Sequence, residues 1–88
     1  NPRPRFLLKG LEVINCQKVG NNGQHFRINC QTRDKKKSFK GIAFSLGDRF
    51  QEIKIGQLID LVFEIVMDDW SGFQELQLKI IDFRPHIE

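Results

Sequence analysis

Six cations crowd a short stretch of this chain: Arg27, Arg33, Lys35, Lys36, Lys37 and Lys40, with Ser38 and Phe39 set between the last two. Clustered Lys and Arg attract polyanions, nucleic-acid phosphates above all, and each neutralised phosphate releases counterions and steepens the salt dependence of binding. A lysine run also serves as a solvated loop that keeps an edge strand from aggregating. The wider charge pattern favours binding. Residues 1–40 carry ten Lys/Arg against two acids, a balance of +8, whereas residues 41–88 carry four against nine, a balance of −5. One surface is therefore expected to face a polyanion and another is not.

A single-strand binder also needs planar groups on which bases stack, worth about 1–3 kcal/mol per base. Trp70 and Phe73 supply them in one connection, and Phe39 and His25 lie beside the basic loop and the first turn. Core packing competes for the same residues. Phe26, Phe44 and Phe63 fit an inward alternation, Phe39 shares parity with Ala43, and Trp70 can fold back to cap a barrel end with its N–H paired. Gln77 and Lys79, on the outer face of the last strand, are secondary binding candidates.

Other chemistries find little support. Asp68-Asp69 and Asp48 with Glu52 read as polar turns, since adjacent strand residues point to opposite sides and no third ligand is near in sequence. His25 and His86 are far apart, with no serine or cysteine in a nucleophile setting, so no catalytic residue is assigned. Two cysteines and two histidines do not make a finger-type metal cluster, and no cofactor is expected for this chain. A two-residue Asn22-Gly23 turn would place Cys16 opposite Asn29, so Cys16 and Cys30 are read as free thiols. Gly20 and Gly23 flank a hairpin rather than a strand-to-helix phosphate loop.

Five strands must position these groups: Phe6 to about Val19, interrupted by Gly10; His25–Arg33; Phe39–Leu46; Leu58–Met67; and Leu76–Phe83. The second alternates most clearly, Phe26, Ile28, Cys30 and Thr32 against His25, Arg27, Asn29, Gln31 and Arg33. In the fourth, Ile59, Leu61, Phe63, Ile65 and Met67 share one face and Asp60, Val62, Glu64 and Val66 the other. Asn22-Gly23 signals a hairpin, residues 47–56 leave room for a short helical turn at most, and Pro85 ends the last strand. With 88 residues, one domain is expected. An open five-stranded sheet would expose two edges, which favours closure. The expectation is an all-β, five-stranded OB-fold Greek-key barrel, which binds oligonucleotides across strands two and three and the loops after strands one and four. An SH3-like barrel is the nearest competitor by pattern. No apolar run approaches the ~18–20 residues of a membrane span, no signal peptide is visible, and the missing initial Met suggests a piece of a longer protein.

The order of several short motifs adds a resemblance. Asn1-Pro2-Arg3-Pro4-Arg5-Phe6 resembles the Asn-Pro-x-Pro-x-Phe opening of the OB domain of RecJ-type single-strand-specific exonucleases. Gly41-Ile42-Ala43-Phe44 is similar to its third strand, and Gly56 followed by Ile59-Asp60-Leu61-Val62-Phe63 to its fourth. Trp70-Ser71-Gly72, Leu76-Gln77-Leu78 and Asp82-Phe83-Arg84-Pro85 are similar to its Trp-x-Gly, Leu-Gln-Leu and Asp-x-Arg-Pro ending. The resemblance spans the chain. It implies a single-stranded-DNA-binding module of a bacterial, cytoplasmic 5′→3′ exonuclease of recombination and repair. Catalysis would lie in separate domains with Asp-His-His motifs and manganese or magnesium, so this chain alone is expected to be inactive. Its implied partners are single-stranded DNA, the catalytic domains of the same parent chain and other repair proteins, with no membrane. The basic 33–40 loop departs from the family pattern. The alternative is a structural barrel that braces the catalytic domains or docks a partner through the acidic second half.

Overall fold

The computed structural model describes residues 3–68 and 75–88. Strands β1 (Phe6–Val19), β2 (His25–Gln31), β3 (Ser38–Ala43), β4 (Leu58–Asp68) and β5 (Glu75–Pro85) form a closed barrel in the order β1-β2-β3-β5-β4. A 3₁₀ turn, Gly47–Glu52, lies between β3 and β4. This is the five-stranded all-β barrel expected.

Closure depends on β1 serving two neighbours. Its first half pairs with β4, Phe6 opposite Phe63 through Glu12 opposite Leu58, and its second half with β2, Glu12 opposite Gln31 through Val19 opposite His25. The change of direction falls at Gly10, whose φ of +71° suits a residue without Cβ, and the register shifts there between Leu8 and Leu11. The released Gly10 amide donates to Asp60 Oδ1 at 3.0 Å. A second shift, between Val13 and Asn15, loosens β1 from β2. There Val13 binds the segment before β4 instead, donating to Gln57 O and accepting from Gly56 N. The circle is completed by a short parallel contact of β3 with β5, Gly41 opposite Leu78 and Ile42 opposite Lys79.

Inward alternation from all five strands fills the core, with Phe26 fully buried at its centre. Its ring meets Phe50 and Phe83 edge-on at 5.9 and 5.8 Å, contacts worth about 0.5–1.5 kcal/mol each beyond area burial. Phe50 arrives on the 3₁₀ turn, which Arg49 fixes to β5. That guanidinium lies 4.1 Å over the Phe83 ring, donates to Phe83 O, and pairs with Asp82 at 2.6 Å and Glu52 at 3.1 Å.

Several expectations need correction. Phe44 is not in the core but 49% exposed, because β3 buries Gly41 and Ala43 and so turns Lys40, Ile42 and Phe44 outward. Ile65 and Met67 do lie on the apolar face of β4, yet both are exposed, because that face runs past the filled core. Cys16 stands opposite Ile28, not Asn29. The connection after β1 is Gly20–Gln24, with Gly20 and Gly23 at positive φ and Gly23 N donating to Gly20 O, so Asn22-Gly23 is not a two-residue turn. β2 ends at Gln31 rather than Arg33, where Thr32 leaves the ladder to close the basic loop. Asp60, placed on the polar outer face by alternation, is buried.

Candidate nucleic-acid interface

The outward face of β2 and β3 carries the basic residues in rows set by strand register. One row crosses Gln17, Arg27, Ile42, Lys79 and Glu64, each opposite the next on the neighbouring strand. The row beside it crosses Asn15, Asn29 and Lys40, and the next Glu12, Gln31 and Ser38, where Gln31 Nε2 donates to Glu12 Oε1 at 2.7 Å. Arg27 and Lys40 are exposed, and Lys79 and Gln77 are half-buried on β5. The face therefore changes sign at Lys79, whose β4 neighbour Glu64 pairs with Arg5 at 3.5 Å.

Lys35, Lys36 and Lys37 extend the face at the turn end of the β2–β3 hairpin, and their loop has a defined shape. Thr32 N donates to Lys37 O, and Lys35 N to Thr32 O, both at 2.9 Å. The Thr32 hydroxyl donates to Asp34 Oδ1 at 2.6 Å and accepts from Lys37 N at 3.2 Å, while Asp34 Oδ1 also accepts from Lys36 N at 3.0 Å. Those two donors, Thr32 Oγ1 first, and the nearby Lys37 charge hold the Asp34 carboxyl below its usual range despite some opposing desolvation. Lys35 takes φ 63° to make the turn. The hydrogen bonds that shape the turn use the backbone, Thr32 and Asp34 and none of the lysine side chains, and all three of those stand exposed.

Not every candidate joins this surface. Arg33 lies beyond β2, with its guanidinium paired to Glu88 and 3.0 Å from where a Cβ on Gly10 would stand. Phe39 is half-buried against the core, and lines with Ser38, Lys40, Ile65, Leu76 and Leu78 a largely apolar groove of about 540 Å³ between β3 and the β4–β5 ribbon. Trp70 and Phe73 lie outside the described residues. Phe44, read as core from sequence, stands instead on the outer face beside His25, with the rings 5.4 Å apart. Parity was the available signal. Phe39 and Ala43 cannot face inward along one strand unless Phe44 faces outward.

The carboxylates of the acidic half are largely engaged within the barrel. Asp60 accepts from the Gly10 amide and from Arg84 Nε at 3.0 Å, and its Oδ1 lies 2.7 Å from His86 Nδ1. Desolvation pushes this carboxyl up, but the bonds from His86, Arg84 and Gly10 outweigh it and hold the pKa at about 2. The Arg49 hydrogen bond, then the Phe83 amide, hold Asp82 below its usual range. Glu52, Glu64 and Glu88 pair with Arg49, Arg5 and Arg33. By contrast, no carboxylate among the described residues lies within ion-pair distance of Arg27, Lys35, Lys36, Lys37 or Lys40. The Asp-x-Arg-Pro ending thus has a structural use, Asp82 clamping the 3₁₀ turn and Arg84 closing on Asp60. No group of three or more His, Cys, Asp or Glu side chains that could hold a metal occurs among the described residues. No helix there is long and apolar enough to cross a membrane.

Comparison with known proteins agrees with this geometry. A family model described as the RecJ OB domain matches residues 1–82. The single-stranded-DNA-specific exonuclease RecJ of Bacillus subtilis (strain 168) is 26% identical over 82 residues, which cover 93% of this chain and 10% of that protein. The chain thus spans about a tenth of that relative's length. Among solved structures, a mitochondrial single-stranded DNA binding protein of S. cerevisiae superposes with TM-score 0.70 at 10% identity, covering 97% of this chain and 95% of that one. The SSB domain of a Synechococcus sp. protein gives TM-score 0.70 at 11% identity, covering 96% of each chain. The small single-stranded DNA-binding protein of Streptomyces coelicolor gives 0.68 at 11%, covering 99% and 96%. At such identities these likenesses establish the OB fold.

Proposed function

Since the chain belongs to the RecJ OB domain family, we propose that it is the single-stranded-DNA-binding module of a RecJ-type 5′→3′ exonuclease of recombination and repair. The observation that carries the reading is electrostatic. Arg27, Lys40 and Lys35–Lys37 follow one continuous outer face without carboxylate partners among the described residues, while Asp60, Glu64 and Asp82 of β4 and β5 pair with Arg84, Arg5 and Arg49. A polyanion gains most from cations that need not first abandon a partner. On this reading the strand's phosphates run along β2 and β3, from the lysine loop past Lys40 and Arg27, with Lys79 and Gln77 at the far margin. Hydrolysis, with its manganese or magnesium, belongs to other domains of a longer parent, and this barrel holds the strand for them.

The bracing role has one observation on its side: the apolar groove, where Ile65 and Leu76 are 45% and 68% exposed. Such a surface suits a protein neighbour. Fluorescence anisotropy with a labelled single-stranded oligonucleotide at two salt concentrations separates the roles. The binding module is expected to show an affinity of about micromolar or weaker that falls steeply with salt. No binding at low salt would leave bracing as the function.

A further inference from the structure

Phe44 is a large aromatic held out from the barrel on the same face as the basic rows. Immediately past the end of β3 it continues the outward series of Lys40 and Ile42. At ~3.3 Å per residue it stands about 7 Å beyond Ile42, which faces Arg27, and about 13 Å beyond Lys40. Isolated exposed apolar side chains are ordinary on protein surfaces. What distinguishes this one is the apparatus around it. Its ring meets His25 at 5.4 Å and an interplanar angle of 72°. The His25 ring is itself pinned, because Ser45 N donates to Nδ1 at 2.7 Å and the Gln24 side-chain amide lies 3.3 Å from Nε2. Behind it, a Cβ on Gly20 would come within 3.2 Å of His25 Cδ2.

The backbone is bent to the same end. Ser45 adopts φ 61°, a left-handed conformation uncommon for a residue other than glycine, in the position that delivers its N–H to His25. Strained residues concentrate where structure serves a ligand rather than the core. The exposed face of Phe44 is hydrocarbon beside a row of cations, which is the pairing of stacking platform and phosphate groove that single-stranded nucleic acid requires.

We propose that Phe44 is a base-stacking residue of this surface, with His25 as the residue that positions it. The inference rests on the single-stranded-DNA reading and assigns within it where a base sits: at the end of β3 next to Arg27, with the phosphates leading from there towards the lysine loop. A base stacked on Phe44 is read through its π-face, so the contact is indifferent to sequence.

The test compares the 88-residue chain with its Phe44→Ala variant, titrating a labelled oligodeoxythymidylate at low salt. Loss of one stacked base is expected to weaken binding about 5- to 150-fold, with the slope of log affinity against log salt unchanged, because no phosphate contact is removed. On an abasic strand the two proteins should bind alike. If wild type binds and Phe44→Ala binds equally well, the stacking assignment is overturned while the DNA-binding reading stands. If wild type fails to bind at low salt, both fall. A Phe44→Trp, Trp70→Phe double variant guards against a folding artefact in the alanine protein. Its single indole should be quenched as DNA saturates, and unchanged emission in a chain that binds would overturn the assignment.

Discussion

Removing the charge of the lysine loop should reduce the salt dependence of binding by an amount that follows from the geometry. The variant is Lys35→Gln, Lys36→Gln, Lys37→Gln. Six cations are available to phosphates on the proposed face: Arg27, Lys35, Lys36, Lys37, Lys40 and Lys79. For a single strand each neutralised phosphate contributes about −0.7 to the slope of log affinity against log salt, so full engagement gives about −4 and the variant about −2. Between about 50 and 200 mM salt, wild-type affinity would fall roughly 300-fold and that of the variant roughly 20-fold. The fold should survive, because the turn is held by Thr32, Asp34 and backbone amides rather than lysine side chains. Anisotropy titrations at four or five salt concentrations, with a thermal melt of each protein, provide the assay. An unchanged slope in a variant that melts like wild type would refute the path drawn past the loop.

Acid should unfold the barrel partly through Asp60. Its pKa of about 2 lies below the ordinary 3.8, so its stabilisation is complete above about pH 4 and is lost as the pH falls towards 2. Urea melts across that range should show Asp60→Asn losing part of the acid limb, and an identical limb in the variant would remove Asp60 from the account. Gly47→Ala should be costly, since a Cβ there would stand 2.0 Å from Gly23 O, and Gly47 N donates to Gln24 O at 2.9 Å. Overpacking and a lost hydrogen bond together suggest about 2–4 kcal/mol, or a drop in Tm of roughly 10–30 °C; a change under about 0.5 kcal/mol would contradict the packing described, being no more than an ordinary surface substitution. Burial pushes the Cys16 thiol up to about 11 and, with a smaller push from Cys16, the Cys30 thiol to about 12. Alkylation at pH 8 should therefore be slow in the native chain, with half-buried Cys16 reacting ahead of buried Cys30, and rapid native labelling of Cys30 would argue against its burial.

Strand-level structure was legible because each strand states its inward face in consecutive residues. Phe26, Ile28 and Cys30 alternate without interruption, and β2 lies where they place it. What was not legible depends on residues distant in sequence. Asp60 reads as one polar position on an alternating strand, and only Gly10, Arg84 and His86, brought to it by closure, make it a buried anion. Arg33 reads as the last outward residue of β2, but the Thr32–Lys37 closure ends the strand first and Glu88 captures the side chain. Phe44 was misread for another reason. Inward assignments for both Phe44 and the Phe39–Ala43 parity set are incompatible on one strand, and the backbone buries Gly41 and Ala43 and leaves Phe44 outside. For the candidate site the basic loop could be named residue by residue, whereas the exposed aromatic at the far end of β3 could not.

The barrel's shortest seam has a thermodynamic consequence. β3 and β5 meet through only the pairs Gly41–Leu78 and Ile42–Lys79, so closure there rests on less pairing than at any other strand boundary. Arg27 and Lys40 stand on one side of the seam and Lys79 on the other. A polyanion touching both sides bridges it from outside, as a strap bridges the staves of a cask. Binding and closure are then linked quantities: whatever affinity the closed barrel has over the open one returns as resistance to local opening. Amide exchange at Gly41, Ile42 and Lys79 therefore becomes a measure of ligand grip, taken from inside the wall rather than from the strand it holds.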